Sequence, residues 1–241
     1  MTAKDRELKF LFDGEEIDAK GGQTILEAAE AAGKYIPRLC HMDGLEPYGG
    51  CRLCTVTVNG RPASACTQPC ASDTVVMSDT EELNEQRRMI LEMLFVEGNH
   101  FCMACEKSGN CELQALAYRM GLDTPRFDFL EPVRDVDASH QDILVDHNRC
   151  ILCARCVRSS RDIDGKQVFG FVERGSVRRV AVNGGARLAD TDADVTDRAM
   201  DSCPVGALMK KRVGFAVPVG SRKYDHEPIG LEQQETEEVQ R

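Results

Sequence analysis

The chain has 241 residues, 42% hydrophobic and 29% charged, ordinary proportions for a folded protein with room for two or three small units. Thirty Lys and Arg against 40 Asp and Glu leave a net charge of −10, which argues against a phosphate-binding surface and so against nucleic acid as a partner. The composition to explain is 12 cysteines in a chain without tryptophan.

The longest apolar stretch, Val213 to Gly220, contains glycine and proline and falls far short of the roughly 18 residues a membrane span needs. The start, Met1 to Arg6, carries charges and no signal-peptide apolar region, so a cytoplasmic location is expected. In a reducing compartment an even set of cysteines points to metal ligation rather than disulfides.

In chain order, Leu8, Phe10 and Phe12 alternate into the Asp13-Gly14 turn, and Glu15 to Ala19 forms the return strand. Thr24 to Glu27 is a capping box for a short Ala-rich helix that Gly33 stops. Thr55 to Val58 is a strand turned at Asn59-Gly60, and Thr74 to Met77 is a further strand, giving a small half-open sheet packed on one helix. Ser78 to Glu81 offers a second capping box, with Leu83, Ile90 and Leu94 marking the inner face of a connecting helix that ends by Gly98. A shorter helix follows from Glu112 to Met120, with Leu113, Leu116 and Met120 on one face. The chain then passes through a Pro- and Asp-rich stretch, Thr124 to Asp137. Its last eleven residues, from Leu231, are polar with four Glu and are expected to be disordered when free.

The cysteines fall into three groups. Cys40, Cys51, Cys54 and Cys66 have Cys-x10-Cys-x2-Cys-x11-Cys spacing inside the strand-rich region, which suits four thiolates around a [2Fe–2S] rhomb. Gly49 and Gly50 let backbone N–H groups approach the inorganic sulfides. A structural zinc site is the competing reading, but zinc normally pairs two short knuckles and one is present here. Cys150, Cys153 and Cys156, with the remote Cys203-Pro204, fit the corners of a [4Fe–4S] cubane on a loop entering a helix. Cys102, Cys105 and Cys111 supply three thiolates and need a fourth ligand. His100, two residues before Cys102, faces the same way in an extended segment and completes the set. Cys70 is left over as a small apolar residue.

The remaining histidines carry weaker signals. His41 and His147 lie near cluster cysteines and are either hydrogen-bond donors or solvent-exposed, while His140 and His226 carry none. Arg155, Arg158 and Arg161 share one side of a helix, read first as a solvated face, with cluster screening or partner docking as the alternatives.

These sites, in this order, resemble the iron–sulfur segment of the large peripheral subunit of NADH:quinone oxidoreductase and of the iron-only hydrogenases. The carriers are Ile36-Pro37-Arg38-Leu39-Cys40-His41, Gly49 to Cys54, and Asn110-Cys111-Glu112-Leu113-Gln114. Those relatives place the histidine four residues before the first cysteine, where this chain has Gly98. Glu97 to Cys102 and Asp146 to Cys153 are more similar to the small diaphorase subunit of bidirectional, NAD-reducing [NiFe] hydrogenase.

The resemblance implies an α+β chain. Residues 1–78 would be a β-grasp [2Fe–2S] ferredoxin domain and 79–137 a helical [4Fe–4S] domain with one His and three Cys ligands. Residues 138–212 would be a bacterial-ferredoxin-like [4Fe–4S] domain and 213–241 an acidic extension. It also implies one [2Fe–2S] and two [4Fe–4S] clusters, and an electron relay without catalytic residues of its own. The implied partners are a flavin- and NAD-binding large diaphorase subunit and the two [NiFe] hydrogenase subunits. A subunit of an NAD-dependent formate dehydrogenase or of NADH:quinone oxidoreductase, and a zinc scaffold, remain the alternatives. The chain shows neither a Gly-x-Gly-x-x-Gly loop nor a Walker motif, in keeping with a relay.

Overall fold

Alternation of apolar side chains makes β1 (Glu7–Phe12) a strand with Leu8, Phe10 and Phe12 buried, and β2 (Glu15–Lys20) returns beside it with Ile17 and Ala19 on the same face. A computed structural model describes residues 7–183 and 187–231; the acidic run after Leu231 lies outside them. The described residues form two compact units. One takes the chain up to His41, Glu46–Ile90 and the segment from Pro228; the other takes Met42–Leu45 and Leu91–Glu227.

In the first unit, Thr24 accepts from Glu27 N while the Glu27 carboxylate accepts from Thr24 N, so the expected capping box starts α1 (Ile25–Ala31). β3 (Thr55–Val58) and β4 (Arg61–Ser64) form a hairpin about Asn59 and Gly60, both left-handed. β5 (Val75–Met77) pairs parallel to β1 and antiparallel to β3, giving the order β2-β1-β5-β3-β4. Ile25, Leu26, Ala28 and Ala29 of α1 close the core against the sheet, and Cys54 and Cys66 belong to that core.

The connecting helix α2 (Glu81–Val96) departs from the sequence reading twice. Thr80, not Ser78, caps it: Thr80 Oγ1 accepts from Leu83 N, whereas the Ser78 hydroxyl accepts from Arg87. Its buried stripe is Leu83, Arg87 and Leu91 at strict i, i+4 spacing, with Ile90 and Leu94 only half-buried.

The second unit contains α3 (Glu112–Arg119), α4 (Arg155–Asp162) and α5 (Arg198–Asp201). Its antiparallel sheet has the order β10-β7-β6, from β10 (Leu208–Lys210), β7 (Ile143–Asp146) and β6 (Val136–Asp137). β8 (Phe169–Val172) and β9 (Arg179–Val182) form a separate antiparallel pair. Leu113, Leu116, Ile143 and Leu188 are fully buried. Among the described residues no helix is long and apolar enough to cross a membrane.

Candidate iron–sulfur sites

The first four cysteines converge although 26 residues separate Cys40 from Cys66. Cys54 Sγ lies 3.4 Å from Cys66 Sγ, and the backbone N–H of Cys51 donates to Cys40 Sγ at 3.4 Å. Hydrogen bonds from the Cys51 and Cys66 thiols, then from the Cys51 and Gly50 amides, hold the Cys40 thiol far below its usual range. The amides of Gly50 and Cys51 are therefore aimed at the Cys40 sulfur. Arg52, between two of these cysteines, is left-handed at φ 62°, which turns the loop so that Cys51 and Cys54 face inward together. Cys70 stands apart, half-buried against the core, its thiol raised to about 11 by burial and then by Glu27.

Arg87 was missed as part of this site. Its buried guanidinium donates to the carbonyls of Leu53, Thr55 and Ser78 and to Asn84 Oδ1, which pins the backbone on both sides of Cys54. The signal was an arginine at a position where helical spacing calls for an apolar residue.

Cys150, Cys153, Cys156 and Cys203 line one apolar cavity with Val145, His147 and Phe169 among its walls. Leu152 and Ala154 are left-handed, at φ 53° and 63°, so the loop coils back on itself before α4 begins. Burial raises the thiols of Cys150 to about 11 and Cys153 to about 12, and raises that of Cys156 well above its usual value. Four cysteines gathered on one apolar cavity could give up their protons together only to a bound cation, which is the donor chemistry an iron–sulfur cluster satisfies.

The middle site gathers the residues whose spacing was least regular. His100, Cys102, Cys105 and Cys111 line a single cavity. His100 Nε2 is buried without a hydrogen-bond partner, and its ring packs edge-on to Phe95 with centroids 5.5 Å apart. Burial, then the Arg149 guanidinium, holds its pKa down to about 4, so the ring is neutral with a lone pair to offer. A Cβ on Gly98 would sit 2.4 Å from His100 Nε2. The glycine where the wider family has its histidine is what leaves room for the imidazole of this one.

Several sequence expectations change here. Arg155 and Arg158 are buried, and only Arg161 is solvated, so the three do not form a solvated face. Arg155 is instead paired with Glu112 of α3. His41 and His147 are buried rather than solvent-exposed, and His147 lines the cavity of the Cys150 group. His140 Nδ1 accepts from Asp142 N, and His226 contacts the Gly220 carbonyl, both away from the cysteine sites. The C-terminal extension is anchored before it reaches the acidic run. Tyr224 N donates to Gly109 O, Lys223 N to Asn110 Oδ1 and Arg222 Nη1 to Ser108 O, all in the loop between Cys105 and Cys111.

Three family models match in succession: a 2Fe-2S iron-sulfur cluster binding domain over residues 5–81, the NADH-ubiquinone oxidoreductase-G iron-sulfur binding region over 87–126, and the ferredoxin-like domain of NADH-quinone oxidoreductase subunit 3 over 141–209. The chain thus carries a 2Fe-2S domain, a 4Fe-4S region and a ferredoxin-like domain. A crystal structure of NAD+-reducing [NiFe]-hydrogenase in the H2-reduced state contains a similar chain, with TM-score 0.91, 47% identity, and coverage of 94% of this chain and 98% of that one. The mitochondrial 78 kDa subunit of NADH-ubiquinone oxidoreductase from Candida albicans is 34% identical over 87% of this chain but only 29% of its own length. The gamma subunit of the NAD-reducing hydrogenase HoxS of Cupriavidus necator is 38% identical over 92% of this chain and 95% of its own. Matching that protein over nearly the whole length of both, the chain belongs to the family of NAD-reducing hydrogenase gamma subunits.

Proposed function

We propose that this chain is the electron-relay subunit of a hydrogen:NAD+ oxidoreductase, passing electrons between a flavin- and NAD-binding diaphorase subunit and a [NiFe] hydrogenase module in the cytoplasm. The observation that carries the reading is the convergence of His100, Cys102, Cys105 and Cys111 on one cavity, beside two further groups of four cysteines gathered in the same chain. Cys40, Cys51, Cys54 and Cys66 would hold a [2Fe–2S] cluster. The His100 set and the set of Cys150, Cys153, Cys156 and Cys203 would each hold a [4Fe–4S] cluster; the domains would be 1–78, 79–137 and 138–212, the latter two lying largely within one compact unit, followed by the extension 213–241.

Bound clusters supply one-electron storage, so that a two-electron hydride step at flavin and a two-electron hydrogen step elsewhere exchange electrons singly. The protein's residues set where and how favourably the electron rests. The Cys51 and Gly50 amides stabilise negative charge on the Cys40 sulfur. His100 contributes a neutral ligand in place of a thiolate, and the apolar walls around Cys150 to Cys156 exclude water.

The test is reconstitution. The isolated chain is expected neither to oxidise NADH nor to activate hydrogen, and NADH is expected to bleach its visible absorbance only after a flavin-bearing diaphorase subunit is added. NADH oxidation by the flavin-free chain alone would refute the reading.

A further inference from the structure

Arg149 precedes Cys150 in the chain, but its side chain serves the other four-ligand cavity. Its Nη1 donates to Cys105 Sγ at 3.7 Å and to Met209 Sδ at 3.9 Å, and its Nε pairs with Asp146 Oδ2 at 3.1 Å. The guanidinium lines the cavity that holds His100 and the three thiols.

The local fold builds this placement. Asp146 Oδ1 accepts from Asn148 N and so caps the single turn His147–Arg149, which sends consecutive side chains to different cavities. The backbone N–H of Asn99 donates to Asn148 O at 2.7 Å, tying the His100 segment to the Arg149 turn. A Cβ on Gly206 would lie 3.1 Å from Cys105 Sγ and 3.4 Å from Arg149 Nη1, so glycine there leaves the sulfur and the cation in contact.

We propose that Arg149 is a positioning residue that sets the potential of the His100 site: its fixed charge and its N–H to Cys105 sulfur stabilise the reduced state of the cluster held there and raise that cluster's midpoint potential alone. This rests on the reading that His100, Cys102, Cys105 and Cys111 hold a four-iron cluster. Reduction adds one electron and makes the cluster one unit more negative. A unit cation a few ångströms away, at an effective dielectric constant of about 20, shifts such an equilibrium by about tenfold or more. Asp146 offsets part of that charge while fixing the guanidinium in place.

The experiment is a redox titration of the anaerobically prepared full-length chain, read by electron paramagnetic resonance, comparing wild type with Arg149→Gln and Arg149→Lys. Gln is expected to lower the reduction equilibrium constant of the His100 site about tenfold, about 59 mV for one electron. The signals of the Cys40 and Cys150 sites are expected to stay within about twofold. Lys keeps the charge and is expected to hold the midpoint within about threefold. An unshifted His100-site midpoint in a fully loaded Gln variant overturns the proposal. So does a Lys variant displaced as far as the Gln variant. If Gln prevents the cluster from assembling, the Lys variant decides alone: a held midpoint supports the proposal and a tenfold displacement overturns it. A wild-type chain lacking any His100-dependent four-iron signal overturns both this inference and the ligand set beneath it, whereas an intact signal indifferent to Arg149 overturns only the inference.

Discussion

Arg155, the first residue of α4, and Glu112, the first residue of α3, form a two-pronged ion pair, with Nη1 to Oε1 and Nη2 to Oε2 both at 2.7 Å. Each sits beside a cysteine of a different four-ligand set, Glu112 after Cys111 and Arg155 before Cys156. The Glu112 backbone N–H also donates to the carbonyl of Pro204, the residue after Cys203. One glutamate therefore joins the two cavities through its side chain and its amide.

Truncating that glutamate leaves a guanidinium whose side chain is only 6% exposed without its carboxylate. Glu112→Ala is expected to destabilise the second unit by about 3 kcal/mol, the lower end for a broken buried pair, since the glutamate itself is partly solvated. The double replacement Glu112→Leu with Arg155→Met is expected to recover most of the loss. Thermal unfolding midpoints of the two variants and the wild type check this, and equal losses in the single and double variants would contradict it.

Iron content is the second expectation. Anaerobically prepared chain is expected to hold on the order of ten iron atoms. Cys70→Ser is expected to keep all of them, because Cys70 packs against the core apart from the converging thiols, whereas Cys66→Ser is expected to lose the first site. Stoichiometric zinc with little iron would defeat the cluster reading.

For the middle site, His100→Ala is expected to abolish or strongly alter its resonance signal, and Gly98→Ala is expected to do the same without touching a ligand. The added methyl of Gly98→Ala would occupy the place of the imidazole edge. His100→Cys, where the cluster assembles, is expected to lower that site's midpoint, because a thiolate adds negative charge. An unaltered signal in His100→Ala would remove His100 from the ligand set.

His147 supplies a pH dependence. Burial, then the Arg179 guanidinium, lowers its pKa below the ordinary 6.5, so the folded chain keeps it neutral where the unfolded chain protonates it. Below about pH 6.5 the unfolded state then binds more protons, and stability falls as pH falls. His147→Gln is expected to flatten the loss of unfolding midpoint as pH falls below about 6.5. Parallel curves for variant and wild type would exclude the effect.

What could be read from the sequence was whatever local spacing determines. The β1–β2 turn at Asp13-Gly14, the Thr24 capping box and the Asn59-Gly60 hairpin each depend on neighbours a few residues away, and each formed as expected. The cysteines that spacing grouped lie together in the fold: Cys54 and Cys66 are 3.4 Å apart at sulfur, and Cys150, Cys153, Cys156 and Cys203 line one cavity. The polar residues that serve those loops were hidden. Arg87 reaches Leu53 across 34 positions and Arg149 reaches Cys105 across 44, and no periodicity links such pairs. Arg155 was assigned to solvent for the same reason: three-residue spacing names a helix side but not what lies against it.

The parallel pairing of β1 with β5 has a bearing on how the first site comes into being. Leu11 stands opposite Val75, and Cys40, Cys51, Cys54 and Cys66 all lie within the stretch those two strands enclose. Closing so long a loop is slow relative to making a local hairpin, and its entropy must be met before the pairing contributes anything. The four thiols are therefore expected to acquire their mutual geometry only once β5, Val75–Met77, is available to pair. Any cluster held by these four thiols would therefore be inserted after the sheet has folded, and a β5 slowed by a proline at Val76 is expected to leave the thiols ungathered for longer.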